Sequence, residues 1–150
     1  MDKYNPFSYY FLNLCINYMN YPKARMTAID VLDIQLRGMK NNDINNSGIK
    51  VAYFFASPAN RSSTGPLNNF INMVKNDIYK HLLNCKSYKI LETRFSNYKK
   101  NFSAKVKIKS SFDNKFHFYI FELSKQNMMD KEFKLYLNNY YRTNSVIKIS

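Results

Sequence analysis

The sequence predicts an α+β fold in which helices precede a four-stranded antiparallel sheet. In the first half of the chain, apolar residues recur at intervals of three and four positions, as they do along one face of a helix. From Ser87 onward the interval falls to two, which is typical of strands with one buried face. The chain has 150 residues, of which 45% are hydrophobic, so it can bury the core of a single domain.

The first predicted helix covers residues 5–21 and ends before Pro22. Its apolar face consists of Phe7, Tyr10, Phe11, Leu14 and Tyr18. Because the segment carries no charge, it suits a helix that docks on another surface better than a free surface helix. We therefore expect residues 1–22 to form an N-terminal amphipathic docking helix and residues 23–150 to form the single α+β domain.

The second predicted helix covers residues 27–40. It begins with Thr27 and Asp30 in the spacing of a capping box, in which side chains satisfy free backbone N–H groups. Residues 49–56 form a short buried element that is helix or strand by pattern alone. A turn is expected at residues 57–65. A further helix over 66–76 then starts at a proline, which is favoured at the first helical position.

Four strands are predicted over residues 87–95, 103–110, 116–124 and 140–149. The second alternates apolar residues with lysines, as a half-exposed strand does. The third is apolar on both faces, which favours a central position in the sheet. Asp113 and Asn114 are expected to form the hairpin turn between these two strands. Residues 126–139 are expected to form a loop or insertion with a helical turn.

Residues 48–75 read GIKVAYFFASPANRSSTGPLNNFINMVK. This block resembles an uncharacterised family of plant and bacterial proteins. Its members share an Ala-Ser-Pro-x-Asn segment, a Thr-Gly-Pro-Leu-x-x-Phe-x-x-Met-Val helix and a Tyr-x-x-Leu-Leu stretch, which corresponds here to residues 79–83. A closing strand at residues 141–146 also matches, with Tyr141 where the family usually has tryptophan. The resemblance covers residues 26–149.

The family is a domain of unknown function and is similar to the nuclear-transport-factor-2-like superfamily. In that cone-type, cystatin-like fold, helices pack into the concave face of a curved antiparallel sheet. The resemblance therefore implies that residues 49–56 are helical. It also implies that the four predicted strands form one curved sheet covered by helices.

The charge of the chain is strongly positive, with 23 Lys and Arg against 10 Asp and Glu and a formal net charge of +13. Asn, Lys, Tyr, Ile and Phe are abundant and have AT-rich codons, so an AT-rich genome would explain much of this charge. The charge predicts weak, non-specific binding to polyanions. No run of 18 apolar residues occurs, so no membrane-spanning helix is expected.

The two cysteines, Cys15 and Cys85, form neither a disulfide framework nor a metal-binding pattern. Both are interpreted as small buried apolar residues in a reducing compartment, so an intracellular location is expected. His81 lies four positions before Cys85, but two ligands without a third do not make a zinc site. His81 is therefore expected at the surface, and neither a metal nor a cofactor is predicted.

Four side chains are candidates for lining a pocket inside the cone: Glu92, His117, Tyr119 and Glu122. Cone-fold enzymes place a carboxylate or histidine base and a tyrosine there, where burial shifts their pKa values. In a regular strand, however, His117 and Glu122 point to opposite faces, so they cannot form one acid–base pair. No catalytic residue is assigned.

A candidate anion-binding turn precedes the last predicted helix. It consists of Arg61, Ser62, Ser63, Thr64 and Gly65. Free N–H groups at a helix N-terminus, together with hydroxyls and a cation, can hold an anion. The alternative is that these residues only cap the helix and fix the turn.

Another candidate site is a surface in which basic and aromatic residues alternate. It comprises Lys89, Arg94, Tyr98, Lys99, Lys100, Phe102, Lys105, Lys107 and Lys109. Such interleaving suits single-stranded nucleic acid, because rings stack on bases and cations contact phosphates. The alternative is a solvated lysine face whose aromatic residues lie on the buried side of the strands.

The sequence favours a binding module over an enzyme, one that holds a protein or a small ligand through the cone or the sheet. Its expected partner is a second copy, paired through the sheet, or a protein that takes the N-terminal helix. The second interpretation is a basic adaptor that contacts nucleic acid or an acidic partner in a larger assembly. The third is an isomerase-like or hydratase-like enzyme of the cone fold, which an acid–base pair inside the cavity would favour.

Overall fold

A computed structural model of the chain describes residues 26–150, so the docking helix predicted at residues 5–21 lies outside the described residues. Four α-helices come first in this part of the chain: α1 (Ala28–Lys40), α2 (Ser47–Phe55), α3 (Pro58–Thr64) and α4 (Leu67–Val74). A short 3₁₀ helix, Lys80–Leu82, follows. The strands are β1 (Ser87–Ser96), β2 (Asn101–Lys109), β3 (Phe116–Asp130) and β4 (Leu135–Lys148).

The four strands form one antiparallel sheet in the order β1-β2-β3-β4, so each strand pairs with its neighbour in sequence. Bulges interrupt the register between Ile90 and Glu92, and twice in the β3–β4 pairing, where they bend the sheet. The predicted α+β fold, with helices preceding a curved four-stranded antiparallel sheet, is confirmed. No helix within residues 26–150 is long and apolar enough to cross a membrane.

Helix α1 begins as its sequence predicts. The Asp30 backbone N–H donates to Thr27 Oγ1 (3.1 Å), and the Thr27 backbone N–H donates to Asp30 Oδ2 (2.9 Å), which completes the capping box. Val31, Leu32 and Leu36 lie on its buried face and pack in the core. The helix predicted at residues 27–40 is therefore confirmed.

Helix α2 is buried along most of its length, with Tyr53, Phe54 and Phe55 in the core. It crosses α1 where Gly48 meets Gly38, and a β-carbon on Gly48 would overlap the Gly38 carbonyl group. The two helix backbones are therefore in direct contact, which only glycine permits at position 48. The helix that the family resemblance implies for residues 49–56 is confirmed.

The turn predicted at residues 57–65 is wrong, because most of this segment is helix α3. Ser57 Oγ accepts a hydrogen bond from the Asn60 backbone N–H (3.1 Å), and Pro58 occupies the first turn of the helix. A serine cap followed by proline is a normal helix start. Gly65, with a φ of 87°, separates α3 from α4.

The loop with a helical turn predicted at residues 126–139 is also wrong. There β3 continues to Asp130 and β4 begins at Leu135, so the two strands form a long hairpin. Bulges at residues 122–123 and 126–127 shift the register within this pairing. Each bulge interrupts the alternation of apolar and polar residues, so this part of the sequence lacks the pattern of a regular strand.

The two faces of the sheet differ in what lies against them. The covered face packs against the helices and carries Phe102, Ala104, Val106 and Ile108 from β2, with Tyr119, Phe121 and Leu123 from β3. The opposite side, which we call the outer face, carries Lys89 and Arg94 from β1, Lys105, Lys107 and Lys109 from β2, Phe116, Phe118 and Ile120 from β3, and Ile147 from β4. Strand β3 is thus apolar on both faces, and its predicted central position is confirmed.

Candidate functional site

A cavity of about 310 Å³ lies between the helices and the covered face of the sheet. Its apolar wall comes from α1, α2, α4, the 3₁₀ helix and β3, which contribute Met39, Ala52, Phe70, Val74, Leu82 and Phe121. All six residues are buried and belong to the hydrophobic core. The cavity is therefore a gap within the core, at the place where helices and sheet meet.

Polar groups meet on one part of the cavity wall, around Thr143 of β4. The Thr143 carbonyl oxygen accepts hydrogen bonds from the Ser57 backbone N–H (2.8 Å) and from Asn60 Nδ2 (3.1 Å). Gln35 Nε2 of α1 donates to Thr143 Oγ1 (2.8 Å). Ala56 forms an isolated parallel bridge with Thr143. Three segments that are distant in sequence are thereby fixed around one polar position.

The cavity reaches solvent along β4, which is an edge strand of the sheet. Asn144 and Ile147 of β4 line it and are exposed, and Met73 of α4 lines it and is half-buried. Within residues 26–150, the lining contains no carboxylate, imidazole, ammonium or guanidinium group. Its described lining offers apolar contact and neutral hydrogen-bonding groups, and no group that titrates near neutral pH.

The side chains predicted to line the interior do not meet in this cavity. Tyr119 is fully buried, but its hydroxyl donates to the Ile78 carbonyl oxygen (2.6 Å), and burial raises its pKa. Glu92 and Glu122 lie exposed on the outer face, where the register places Glu92 opposite Lys105. The interior position expected for these two glutamates is wrong, because the helices cover only the opposite side of their strands.

His117, the fourth predicted pocket residue, lies on the covered face and forms a stacked pair with His81. The two ring centroids are 3.7 Å apart and the ring planes differ by 11°. His81 Nδ1 lies 2.8 Å from Ser110 Oγ, and His117 Nε2 lies 2.8 Å from Asp113 Oδ2. The surface position expected for His81 is wrong, because the residue is only 7% exposed.

This pair and Asp113 have the spacing of a possible metal site, with one ligand atom from each residue within 4.8 Å of the others. A histidine binds a metal along the nitrogen lone pair, which lies in the plane of the ring. Because the rings of His81 and His117 are stacked nearly parallel, with centroids 3.7 Å apart, their lone pairs do not converge on one ion. The geometry fits a stacked, hydrogen-bonded pair better than a metal centre.

The stability of the protein should decrease in mild acid because of His81. Burial lowers the pKa of His81 below its usual value of 6.5, and the neighbouring His117 is the second cause of this shift. Asp113 raises the pKa of His81, whereas Lys80 and Lys148 lower it further. The unfolded chain therefore takes up a proton at a higher pH than the folded chain. The free energy of unfolding should consequently fall as the pH drops below about 6.5, as urea unfolding at several pH values would measure.

His81→Gln is the matched control for this prediction, because the amide can still hydrogen-bond with Ser110 but does not titrate. Over the same pH range, the free energy of unfolding of this variant should change less than that of the wild type. Equal pH dependence of the two proteins would show that another group is responsible.

The anion-binding turn predicted at residues 61–65 has a different structure. Ser62 and Ser63 are exposed on α3, and Thr64 Oγ1 donates to a carbonyl oxygen in the preceding turn of the same helix (3.1 Å). Arg61, in contrast, is buried. Arg61, Ser62 and Gly65 line one open pocket, but the carboxylates of Asp130 and Glu132 line it too and pair with the Arg61 guanidinium group.

Arg61 is buried in a cluster of charged and aromatic side chains, which we call the Arg61 cluster. Its Nη2 contacts the Asp130 carboxylate, and its Nη1 donates to Glu132 Oε1 (2.9 Å). The guanidinium carbon lies 4.7 Å from the centre of the Phe133 ring, and the Tyr53 hydroxyl donates to Glu132 Oε2 (2.7 Å). One cation thus faces two carboxylates, so the cluster fixes the tip of the β3–β4 hairpin to the helices.

The predicted basic and aromatic surface divides into three parts. The outer face carries Lys89, Arg94, Lys105, Lys107 and Lys109. The exposed turn between β1 and β2 carries Tyr98, Lys99 and Lys100. Phe102 is buried in the core and is not available to a partner. The rings that do lie beside the lysines, Phe116 and Phe118, are not part of the predicted surface.

Comparisons with protein-family models, curated proteins and solved structures give no match to this chain. The family resemblance of residues 48–75 therefore stays a prediction. The geometry of the cavity and of the outer face is the basis on which a function can be proposed.

Proposed function

We propose that the protein is a binding module whose cavity holds a small, neutral, mainly apolar ligand with one hydrogen-bonding group. The observation that carries this proposal is the cavity of about 310 Å³ between helices and sheet, with mainly apolar walls and a group of polar side chains around Thr143. Ligand sites commonly begin at about 300 Å³ and combine apolar walls with a few placed polar groups. A cavity in this position also agrees with the cone-type fold that the family resemblance implies.

The composition of the cavity wall sets the chemistry of the ligand. Gln35 and Thr143 use their N–H and O–H donors within the protein, so they offer a ligand mainly acceptor oxygens, whereas the Asn60 amide keeps one N–H and its oxygen. Since no charged side chain lines the described cavity, a charged ligand would lose its hydration without gaining a counter-ion. The ligand should therefore be neutral, with its polar group beside Thr143 and its apolar part against Phe70 and Phe121.

The same wall favours binding over acid–base catalysis. General acid–base catalysis needs a titratable side chain within hydrogen-bond reach of the substrate. Glu92 and Glu122 lie on the other side of the sheet, and His117 is paired with Asp113 outside the cavity lining. Tyr79 does line the cavity, but its hydroxyl donates to the Val146 carbonyl oxygen (2.8 Å). These positions support a role in holding a ligand unchanged.

A neutral apolar fluorophore tests the proposal on the full chain. N-phenyl-1-naphthylamine, whose emission rises in apolar surroundings, should bind the wild type saturably with one site. Ala52→Leu places three further carbon atoms in the cavity, so it should weaken binding at least tenfold. Ala59→Leu makes the same change at an exposed position on α3 and should leave binding unchanged.

A second blocking variant protects the test against a folding defect of Ala52→Leu. Met73→Trp changes a half-buried residue of the cavity lining and should also weaken binding, with little effect on the melting temperature. The proposal fails if the wild type shows no saturable binding. It also fails if both folded blocking variants bind the probe as the wild type does.

A further inference from the structure

Among the described residues, the outer face of the sheet carries five basic side chains, Lys89, Arg94, Lys105, Lys107 and Lys109, against two carboxylates, Glu92 and Glu122. The register places Lys89 directly opposite Lys107, and Lys105 and Lys109 flank Lys107 on the same strand. Like charges directly opposite each other destabilise a sheet. Among residues 26–150, no ion pair joins Lys89, Lys107 or Lys109 to a carboxylate. The ammonium groups of these three lysines can therefore form ion pairs with a negatively charged partner.

Aromatic rings lie among these lysines. Phe116 on β3 is 50% exposed, and the Nζ atoms of Lys107 and Lys109 lie 4.1 and 4.5 Å from its ring centroid. Lys105 Nζ lies 5.4 Å from the Phe118 ring. The rings belong to β3 and the lysines to β2, so the two central strands together present a mixed aromatic and cationic surface.

We propose that this outer face binds single-stranded nucleic acid, independently of the cavity on the other side of the sheet. Phe116 and Phe118 stack on bases, and Lys105, Lys107 and Lys109 contact phosphates. An open sheet with rings on one central strand gives unpaired bases a stacking platform, and the lysines on the neighbouring strand can contact the phosphate backbone. Bases within a duplex are already stacked, so the rings favour a single strand.

The charge of the face argues against a second copy of this chain as the occupant. A symmetric dimer through this face would bring the lysine clusters of both copies together, and like-charge contacts across an interface are strongly unfavourable. An acidic polypeptide would satisfy the lysines. It would not use the exposed part of the Phe116 ring, however, which a nucleic-acid base would cover.

Fluorescence anisotropy of a labelled twelve-nucleotide oligo-uridine, titrated with the full chain, measures this binding. Affinity should fall with salt with a log–log slope of about −2, because three lysine contacts each contribute about −0.7. Phe116→Leu should weaken binding at least fivefold through the loss of stacking. Tyr98→Leu, at a 97% exposed tyrosine in the β1–β2 turn, is the matched control and should have no effect.

Lysine variants test whether the charge acts at this face. Lys107→Ala with Lys109→Ala should weaken binding more than Lys99→Ala with Lys100→Ala, which removes the same charge from the β1–β2 turn. Equal effects of the two pairs, with no effect of Phe116→Leu, would indicate non-specific electrostatic attraction and overturn the proposal.

A tryptophan reporter gives a direct signal of stacking. The chain contains no tryptophan, so Phe116→Trp introduces a single one on the outer face. Its emission should be quenched by oligo-uridine and not by a polyglutamate of equal charge. If the emission does not change with oligo-uridine, the proposal is overturned in favour of simple charge attraction. If polyglutamate competes equally well for the outer face, the proposal is overturned in favour of an acidic polypeptide partner.

Discussion

Arg61→Leu should lower the free energy of unfolding by about 3–5 kcal/mol, as urea unfolding would measure. The Arg61 and Asp130 side chains are each 3% exposed, so removing the cation leaves a buried carboxylate without its partner. The variant also removes the link between α3 and the β3–β4 hairpin. A buried charge without a partner is among the most destabilising consequences of a single substitution.

Two further variants separate the buried charge from a general loss of packing. Glu132 is 48% exposed, so Glu132→Gln should lower stability by less than about 1 kcal/mol. Asp130→Asn, combined with Arg61→Leu, removes the buried negative charge and keeps an oxygen that can accept the N–H groups of Glu132 and Phe133. The double variant should recover part of the stability lost in Arg61→Leu. A double variant that is less stable still would contradict the explanation by an uncompensated charge.

Gly48→Ala should lower the free energy of unfolding by about 3 kcal/mol, at the upper end of the range for overpacked sites. The added β-carbon would overlap the Gly38 carbonyl group and approach the Met39 backbone nitrogen to 3.1 Å. Both are backbone atoms, so the clash can be relieved only by moving α1 and α2 apart. Their separation would also disturb the cavity wall, to which Met39 and Ala52 belong.

Gly38→Ala is the control on the facing helix. A β-carbon there would meet its nearest neighbours at 3.5 Å, which is ordinary van der Waals contact. Because alanine is favoured over glycine in a helix by about 1 kcal/mol, this variant should be as stable as the wild type or slightly more stable. A similar loss of stability in both variants would show that the helix contact is not specific to Gly48.

The sequence predicted the elements whose signals are local. The capping box of Thr27 and Asp30 fixes the start of α1 within a few residues, and alternation identifies β2. Helix α3 also has a local signal, a serine cap at Ser57 followed by Pro58, but the nearby Gly65-Pro66 step is equally typical of a turn. The β3–β4 hairpin has no clear local signal, because its bulges break the alternation.

The candidate sites depended on information that the local sequence does not contain. The polar end of the cavity joins Gln35, Asn60 and Thr143, and only the tertiary fold brings them together. Successive side chains of a strand point to opposite faces of the sheet, so the position of a ring along its strand decides whether it lies on the outer face. Phe102 points to the covered face from β2, whereas Phe116 points to the outer face from β3, although lysines lie within three residues of both in the sequence.

The bond between Gln35 and Thr143 also bears on the order in which the protein folds. The three hairpins of the sheet join neighbouring strands, so their contacts close short loops, whereas Gln35 and Thr143 are 108 residues apart. Closing a long loop costs more entropy than closing a short one. The contact between Gln35 and Thr143 should therefore form after shorter-range contacts have brought its two segments together. The cavity is therefore completed only after sheet and helices have assembled. A ligand that needs the complete cavity binds the native protein and not its partly folded states. Such a ligand raises the free energy of unfolding as its concentration increases.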